Sequence, residues 1–241
     1  MKKRIEMFAT LLKSVPWYAT VIFALSVVLM NFLARYSLFN RWWLALNAGI
    51  LVSWVAFLLM DVFVKNFGAK ASNMLSFLAI EVNILYTLVC LIISNIFKIE
   101  SLDMYVGGQW SILLASTIAF VISALSNNYT NIFIGKKIKG NPDSKSAFAK
   151  RSFISTFLSQ IVDNFIFVFL SFWVFPFVPG ALPVRWSILQ CVTCSVVCAL
   201  LELVSEVIFA PLGYHISRRW KKNNVGREYL EKYCPNGVLE R

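Results

Sequence analysis

A single histidine, His215, serves all 241 residues of the chain, and that scarcity closes off much chemistry. A zinc centre built on histidine, or a His-dependent catalytic triad, has almost no raw material. Cysteine is sparse as well. Of five, Cys90 and the group Cys191, Cys194 and Cys198 fall inside apolar stretches and only Cys234 in a polar one, so no disulfide framework is spelled out. The grouped cysteines share a helix face at i, i+3 and i+7; with no histidine near them they read as small packing residues rather than metal ligands. No G-x-x-x-x-G-K-[ST] string occurs, so the chain has no phosphate-binding loop of that kind. Charge is thin, 15% of residues against about 25% in soluble domains. An ordinary soluble domain is excluded, and neither an enzyme, a metal site nor a cofactor is expected.

What is present is apolar surface: 59% of residues are hydrophobic and 15% aromatic. Six apolar runs, at about 15–33, 42–64, 74–97, 110–134, 153–175 and 187–214, are each long enough to cross a bilayer as a helix, and none alternates strictly enough for a barrel strand. They predict an all-α, polytopic membrane protein, a bundle of six transmembrane helices forming one domain over 1–241. The first run follows a basic flank, yet its Ala24-Leu25-Ser26 lies mid-run, so a retained helix is expected rather than a cleaved signal.

A net charge of +11 would point to nucleic acid in a soluble protein. Here the basic residues sit between the apolar runs. All but four of the 23 (the exceptions being Arg35, Arg41, Lys98 and Arg185) fall in the N-terminus, the second loop at 61–73, the fourth loop at 135–152 and the C-terminal tail. The positive-inside rule then predicts cytoplasmic termini, in a multi-pass protein of a bacterial inner membrane with no nucleic-acid partner. Trp42, Trp43, Trp110, Trp173 and Trp186 are expected as a belt at the external ends. The fourth loop, with Gly140 and Pro142, reads as a topology determinant near anionic lipid. The fifth, with Pro176, Pro179 and Pro183, is expected to fold back over the external mouth.

Acids inside the runs carry the functional signal. Asp61 ends the second run, Glu81 lies in the third, Asp163 in the fifth, and Glu202 and Glu206 one turn apart in the sixth. Gln160 and Asp163 share a helix face. No Lys or Arg falls within any of the six runs, so these carboxylates must carry a proton, bind a cation, or accept hydrogen bonds from a donor-rich ligand. Glu81, Asp163 and Glu202 are expected within about two turns of the midplane. Asn127, Asn128 and Asn131 cluster at the end of the fourth run, where amides suit either a heterocyclic edge or helix capping. Phe167 and Tyr129 are candidates to stack on a ring.

Three strings carry a family resemblance: M-D-V-F-V-K-N-F-G-A-K, around Asp61 to Gly68; R-S-F-I-S-T-F-L-S-Q-I-V-D-N-F-I-F, at Arg151, Ser155, Thr156 and Asp163; and L-E-L-V-S-E-V-I-F-A-P-L-G-Y, at Glu206, Pro211 and Tyr214. From the second run onward the chain resembles the queuosine-precursor transporters, vitamin-uptake-like membrane proteins. The resemblance implies six helices and uptake of 7-deazaguanine bases. Two positions depart from the family pattern: Asn131 stands where an Asp is frequent, and Glu202 where many members carry a Lys.

Such a base presents a ring N–H beside an exocyclic amine, two donors that one carboxylate can accept together. The expected substrate-binding set is therefore Asp163 and Gln160 on the base, with Asn128 and Asn131 opposite. Phe167 stacks on the ring, Glu202 and Glu206 handle a proton or a ligand cation, and Asp61 completes the set. The partners are a nucleobase-like small molecule, the lipid bilayer and a coupling proton. The alternative is the substrate-binding membrane subunit of an energy-coupling-factor-type importer.

Overall fold

Pro16 shapes the start of the chain. Lacking an N–H, proline fits the beginning of a helix and breaks its interior. In the computed structural model, which describes residues 2–34, 36–99, 110–138, 144–181 and 184–235, helix α1 (Lys2–Ser14) ends just before it and α2 (Trp17–Leu33) begins just after, bent by 105°. The basic flank that precedes the first apolar run is thus a helix of its own. It buries Met7 and Leu11 and keeps Lys3, Arg4, Glu6 and Lys13 exposed. It packs on the last helix, α8 (Arg227–Tyr233), where Lys232 Nζ lies 2.6 Å from Glu6 Oε1. Both terminal helices therefore sit at one end of the bundle.

The expected second span begins later than its apolar run. Residues 42–49 belong to a hairpin, β1 (Ser37–Asn40) paired antiparallel with β2 (Ala45–Asn47). Asn47 Oδ1 then accepts the Gly49 N–H at 2.9 Å, a local turn that launches α3 (Ile50–Phe67). Trp42 projects from the hairpin turn, 78% exposed. The expected loop at 61–73 contracts to one residue. Gly68, at φ 88° and ψ 165°, joins α3 to α4 (Ala69–Phe97), a conformation that essentially only glycine adopts. Asp61 consequently lies inside the packed bundle and not at its rim.

Helices α5 (Trp110–Lys137) and α6 (Lys145–Phe169) follow. Ser144 Oγ caps α6 by accepting the Ala147 N–H at 3.1 Å, so the helix starts well before its apolar run and takes Arg151 and Ser152 inside. It closes through a π turn (Leu170–Val174) and a 3-10 turn (Phe175–Phe177). There Trp110 Nε1 donates to Gly180 O at 2.9 Å, folding the start of the fifth loop back onto α5 as its prolines predict. Trp186, expected at the interface, is instead buried and stacks on Phe172 with centroids 3.8 Å apart. A capping box at Ser187 and Gln190 opens α7 (Ile188–Lys222). At 35 residues it runs about 52 Å, well beyond a hydrocarbon core of about 30 Å.

Among the described residues, five helices, α3 to α7, are long and apolar enough to cross a membrane, and a sixth if α1 and α2 count as one bent span. α6 packs between α5 and α7, and α3 lies on α7. One apolar core, with Phe23, Phe63 and Trp220, fills the end that bears the termini; a second, with Phe172, Trp186 and the three grouped cysteines, fills the other. Met1, Arg35, the third loop at 100–109, Gly140 and Pro142 of the fourth, Pro183 of the fifth, and the tail at 236–241 lie outside the described residues.

Candidate functional site

The polar residues of the bundle follow α6. Ser152, Thr156, Ser159 or Gln160, Asp163 and Phe167 recur at helical spacing down one face, and two separate groups gather along it.

The first is a cavity at the hairpin end. Its polar lining comes from Asn31 on α2, Asn47 and Ser53 at the start of α3, Ser116 on α5, Asp163 and Asn164 on α6, and Glu202 on α7; Phe167 and Met30 supply apolar wall. It is partly open to the outside, and its cavity volume is about 30 Å³. Asp163 Oδ1 accepts the Ser123 hydroxyl at 2.7 Å. Glu202 Oε2 accepts the Asn164 amide at 2.7 Å, and Ser116 pairs with Asn31. Among the described residues, no Lys, Arg or His lines it.

The second group is solid, one to two turns nearer the terminal helices. Asp61 is fully buried at its centre. Its Oδ1 accepts Asn127 Nδ2 and Asn131 Nδ2, both at 3.0 Å. Its Oδ2 accepts Ser152 and, at 3.3 Å, Thr156. Ser152 also reaches Glu206. Asn131 Oδ1 in turn accepts Arg151 Nε at 3.0 Å and Nη2 at 2.7 Å. Beside them Asn128 accepts from Ser72 at 3.0 Å and donates to Asn73 at 2.5 Å.

The residues expected to form one site are therefore divided. Asp163, Glu202 and Phe167 meet at the cavity. Asp61, Asn128, Asn131 and Glu206 meet in the second group, so the neighbours Glu202 and Glu206 serve different clusters. Gln160 stands between the two. Glu81 joins neither: it lies on the exposed side of α4 among Phe77, Ile84, Leu85 and Leu88. Tyr129 is 62% exposed on the outside of α5 and faces no site.

The expectation of a bundle without internal basic groups is corrected by Arg151, buried within α6 and bonded to Asn131. It sits just before the apolar run that sequence hydropathy delimits, which is why that limit excludes it. Ser152, Ser159, Asn164 and Asn73 are further participants that no sequence pattern singles out. Their only signal is small polar residues recurring every three or four positions around Asp163.

A helical bundle that crosses the membrane several times, with carboxylates and amides buried around an internal cavity, has the build of a multi-pass membrane transporter. The chain belongs to the vitamin uptake transporter family: a family model described as "Putative vitamin uptake transporter" matches residues 47–216. That stretch runs from the second strand into α7 and covers the second polar group, and the whole cavity lining except Met30, Asn31 and Ala34 on α2. No curated protein and no solved structure matches the chain.

Proposed function

We propose that the chain imports a queuosine precursor or related 7-deazaguanine base across the bacterial inner membrane, binding it in the cavity between Asp163 and Glu202. One observation carries this: two carboxylates, buried Glu202 and half-buried Asp163, face a common cavity whose lining holds no basic residue among the described residues. Such a site has acceptors in excess, and a base with a ring N–H beside an exocyclic amine supplies the missing donors. Asn31, Asn47 and Asn164 offer mixed amide partners, and Phe167 an aromatic wall. The cavity as it stands, about 30 Å³, is well below the roughly 300–1,000 Å³ of small-molecule sites, so binding requires the lining helices to move apart. The three sequence strings that resemble queuosine-precursor transporters support the same cargo.

The cavity lies toward the hairpin end of the bundle, opposite α1 and α8. With the basic residues crowded at the end that holds those helices, the positive-inside rule makes the cavity face outward. Uptake is coupled to protons through the acidic residues of the second group. The test is uptake of radiolabelled 7-cyano- and 7-aminomethyl-7-deazaguanine into liposomes holding only the purified chain. Accumulation above protein-free vesicles, increased by an inward proton gradient, is expected; no binding and no uptake of either base would defeat the proposal. A second reading has one specific observation behind it, the lack of a Walker-type phosphate loop. Tight binding without vectorial uptake would favour a binding subunit that depends on a separate ATPase.

A further inference from the structure

Gln160 occupies α6 one turn from Thr156, which belongs to the Asp61 group, and one turn from Asn164, which lines the cavity. It is fully buried, and neither its Nε2 nor its Oε1 has a hydrogen-bond partner among the described residues. Its neighbours differ. Asn127 and Asn131 are paired with Asp61, Asn128 with Asn73, and Asn164 with Glu202. Buried side-chain amides are nearly always satisfied, so this one calls for a partner that the described residues do not supply.

We infer that Gln160 is a cargo-contacting residue, pairing with an edge of the ligand that carries one donor beside one acceptor. This rests on the proposed cavity and deepens it. A carboxylate such as Asp163 matches two adjacent donors, whereas a primary amide presents an acceptor and a donor in one plane and matches a mixed edge. A guanine-type ring has both kinds: the ring N–H with the exocyclic amine on one side, and the five-membered-ring N–H with the neighbouring ring nitrogen on another. Gln160 lies beyond the cavity lining, toward the Asp61 group. The contact therefore requires the bound base to reach one helical turn along α6 beyond the cavity lining, from Asp163 to Gln160.

The experiment compares wild type with Gln160→Met, which keeps length and volume but removes both polar atoms, and with Gln160→Glu, which keeps an acceptor but cannot donate when ionised. Thermal unfolding in detergent is followed against increasing 7-aminomethyl-7-deazaguanine, since a ligand that binds the folded state stabilises it by mass action. Without base, Gln160→Met is expected to melt at or above the wild-type temperature, because it deletes a group that no protein atom satisfies. With base, both variants should need at least tenfold more ligand for the same shift. A lower melting temperature for Gln160→Met without base would overturn the inference, since the amide would then have a structural partner. A wild-type ligand response in that variant would overturn it too, leaving water as the only partner. Failure of the cargo assignment shows itself separately and earlier: wild-type protein would gain no stability from the base, and the contact would fall with it.

Discussion

Asp61 on α3 and Glu206 on α7 reach the same hydroxyl, that of Ser152 on α6. A serine hydroxyl has one proton to give, so it serves only one of the two carboxylates at a time. Asp61 has other donors in Asn127, Asn131 and Thr156. For Glu206, Ser152 is the only hydrogen-bond partner among the described residues.

The two acids should therefore respond differently to the same change. Asp61→Asn places an NH2 group against donors that expect an acceptor, in a site with no room to turn away. It is expected to cost about 3 kcal/mol, as charge-assisted bonds are lost and buried donors orphaned. Glu206→Gln supplies an N–H that can donate to Ser152 Oγ, which frees the hydroxyl for Asp61. Its cost should stay below about 1 kcal/mol. Denaturant unfolding of both variants in detergent decides it, and equal losses would mean that Ser152 does not arbitrate between them.

Arg151 acts on Asp61 at one remove. Its Nε and Nη2 both donate to Asn131 Oδ1, which turns the Asn131 amide so that Nδ2 faces Asp61. Residues that share a network show coupling of about 0.5–3 kcal/mol in double-mutant cycles. The cycle of Arg151→Ala with Asp61→Ala should thus depart from additivity by about 1 kcal/mol or more. Additive losses would show that Asn131 transmits nothing. Arg151→Lys should recover little, since an ammonium lacks the two-pronged geometry.

Sequence hydropathy finds the five long helices because each buries or exposes a whole run of apolar side chains, and the folded-back start of the fifth loop because its prolines forbid further helix. It misplaces their ends. Trp42 and Trp43 are as apolar as any span residue, yet local Asn and Gly chemistry at Asn47 and Gly49 turns that stretch into a hairpin. Asp61 looks like a span terminus because Lys65 and Lys70 follow it, while the structure continues α3 to Phe67 and turns on Gly68 alone. The acidic residues are legible as unusual, but which of them meet is set by helix rotation. One turn separates Glu202 from Glu206 in sequence, and that is enough to deliver them to different clusters. Glu81 points away from both for the same reason.

Gly68 makes a sharp test of that revised boundary. At φ 88° and ψ 165° a side chain is strained whatever space surrounds it, by about 1–3 kcal/mol. Gly68→Ala should lower stability by that amount, whereas a residue within a flexible loop spanning 61–73 would tolerate alanine or gain slightly from it. Thermal unfolding of the single variant separates the two.

Glu81 gives a control with the opposite sign. It lies on the exposed side of α4 and makes no hydrogen bond or ion pair with any described residue. Glu81→Leu should leave base uptake at the wild-type rate and should not lower stability, because it swaps a charged side chain on an apolar helix face for one that matches its neighbours. A tenfold fall in uptake by folded, inserted protein would return Glu81 to the site.

Glu202 should decide how the cavity treats charge. Asp163 and Glu202 line it with no basic counterpart among the described residues, so an ammonium group on the ligand is drawn to both carboxylates while a neutral nitrile is not. Unit charges at about 4 Å interact by about 4 kcal/mol at an effective dielectric near 20, before the ammonium's own desolvation is subtracted. A net preference of about 1.4 kcal/mol, tenfold in affinity, is a modest share of that. In Glu202→Gln the side-chain oxygen still accepts from Asn164, so the local packing holds and only the charge is lost. The ratio of affinities for the aminomethyl over the cyano base should then fall by about tenfold or more, with affinity for the cyano base little changed. An unchanged ratio would remove Glu202 from charge recognition and leave Asp163 as the sole candidate. Equal weakening for both bases would assign Glu202 to holding Asn164 in place rather than to reading the ligand.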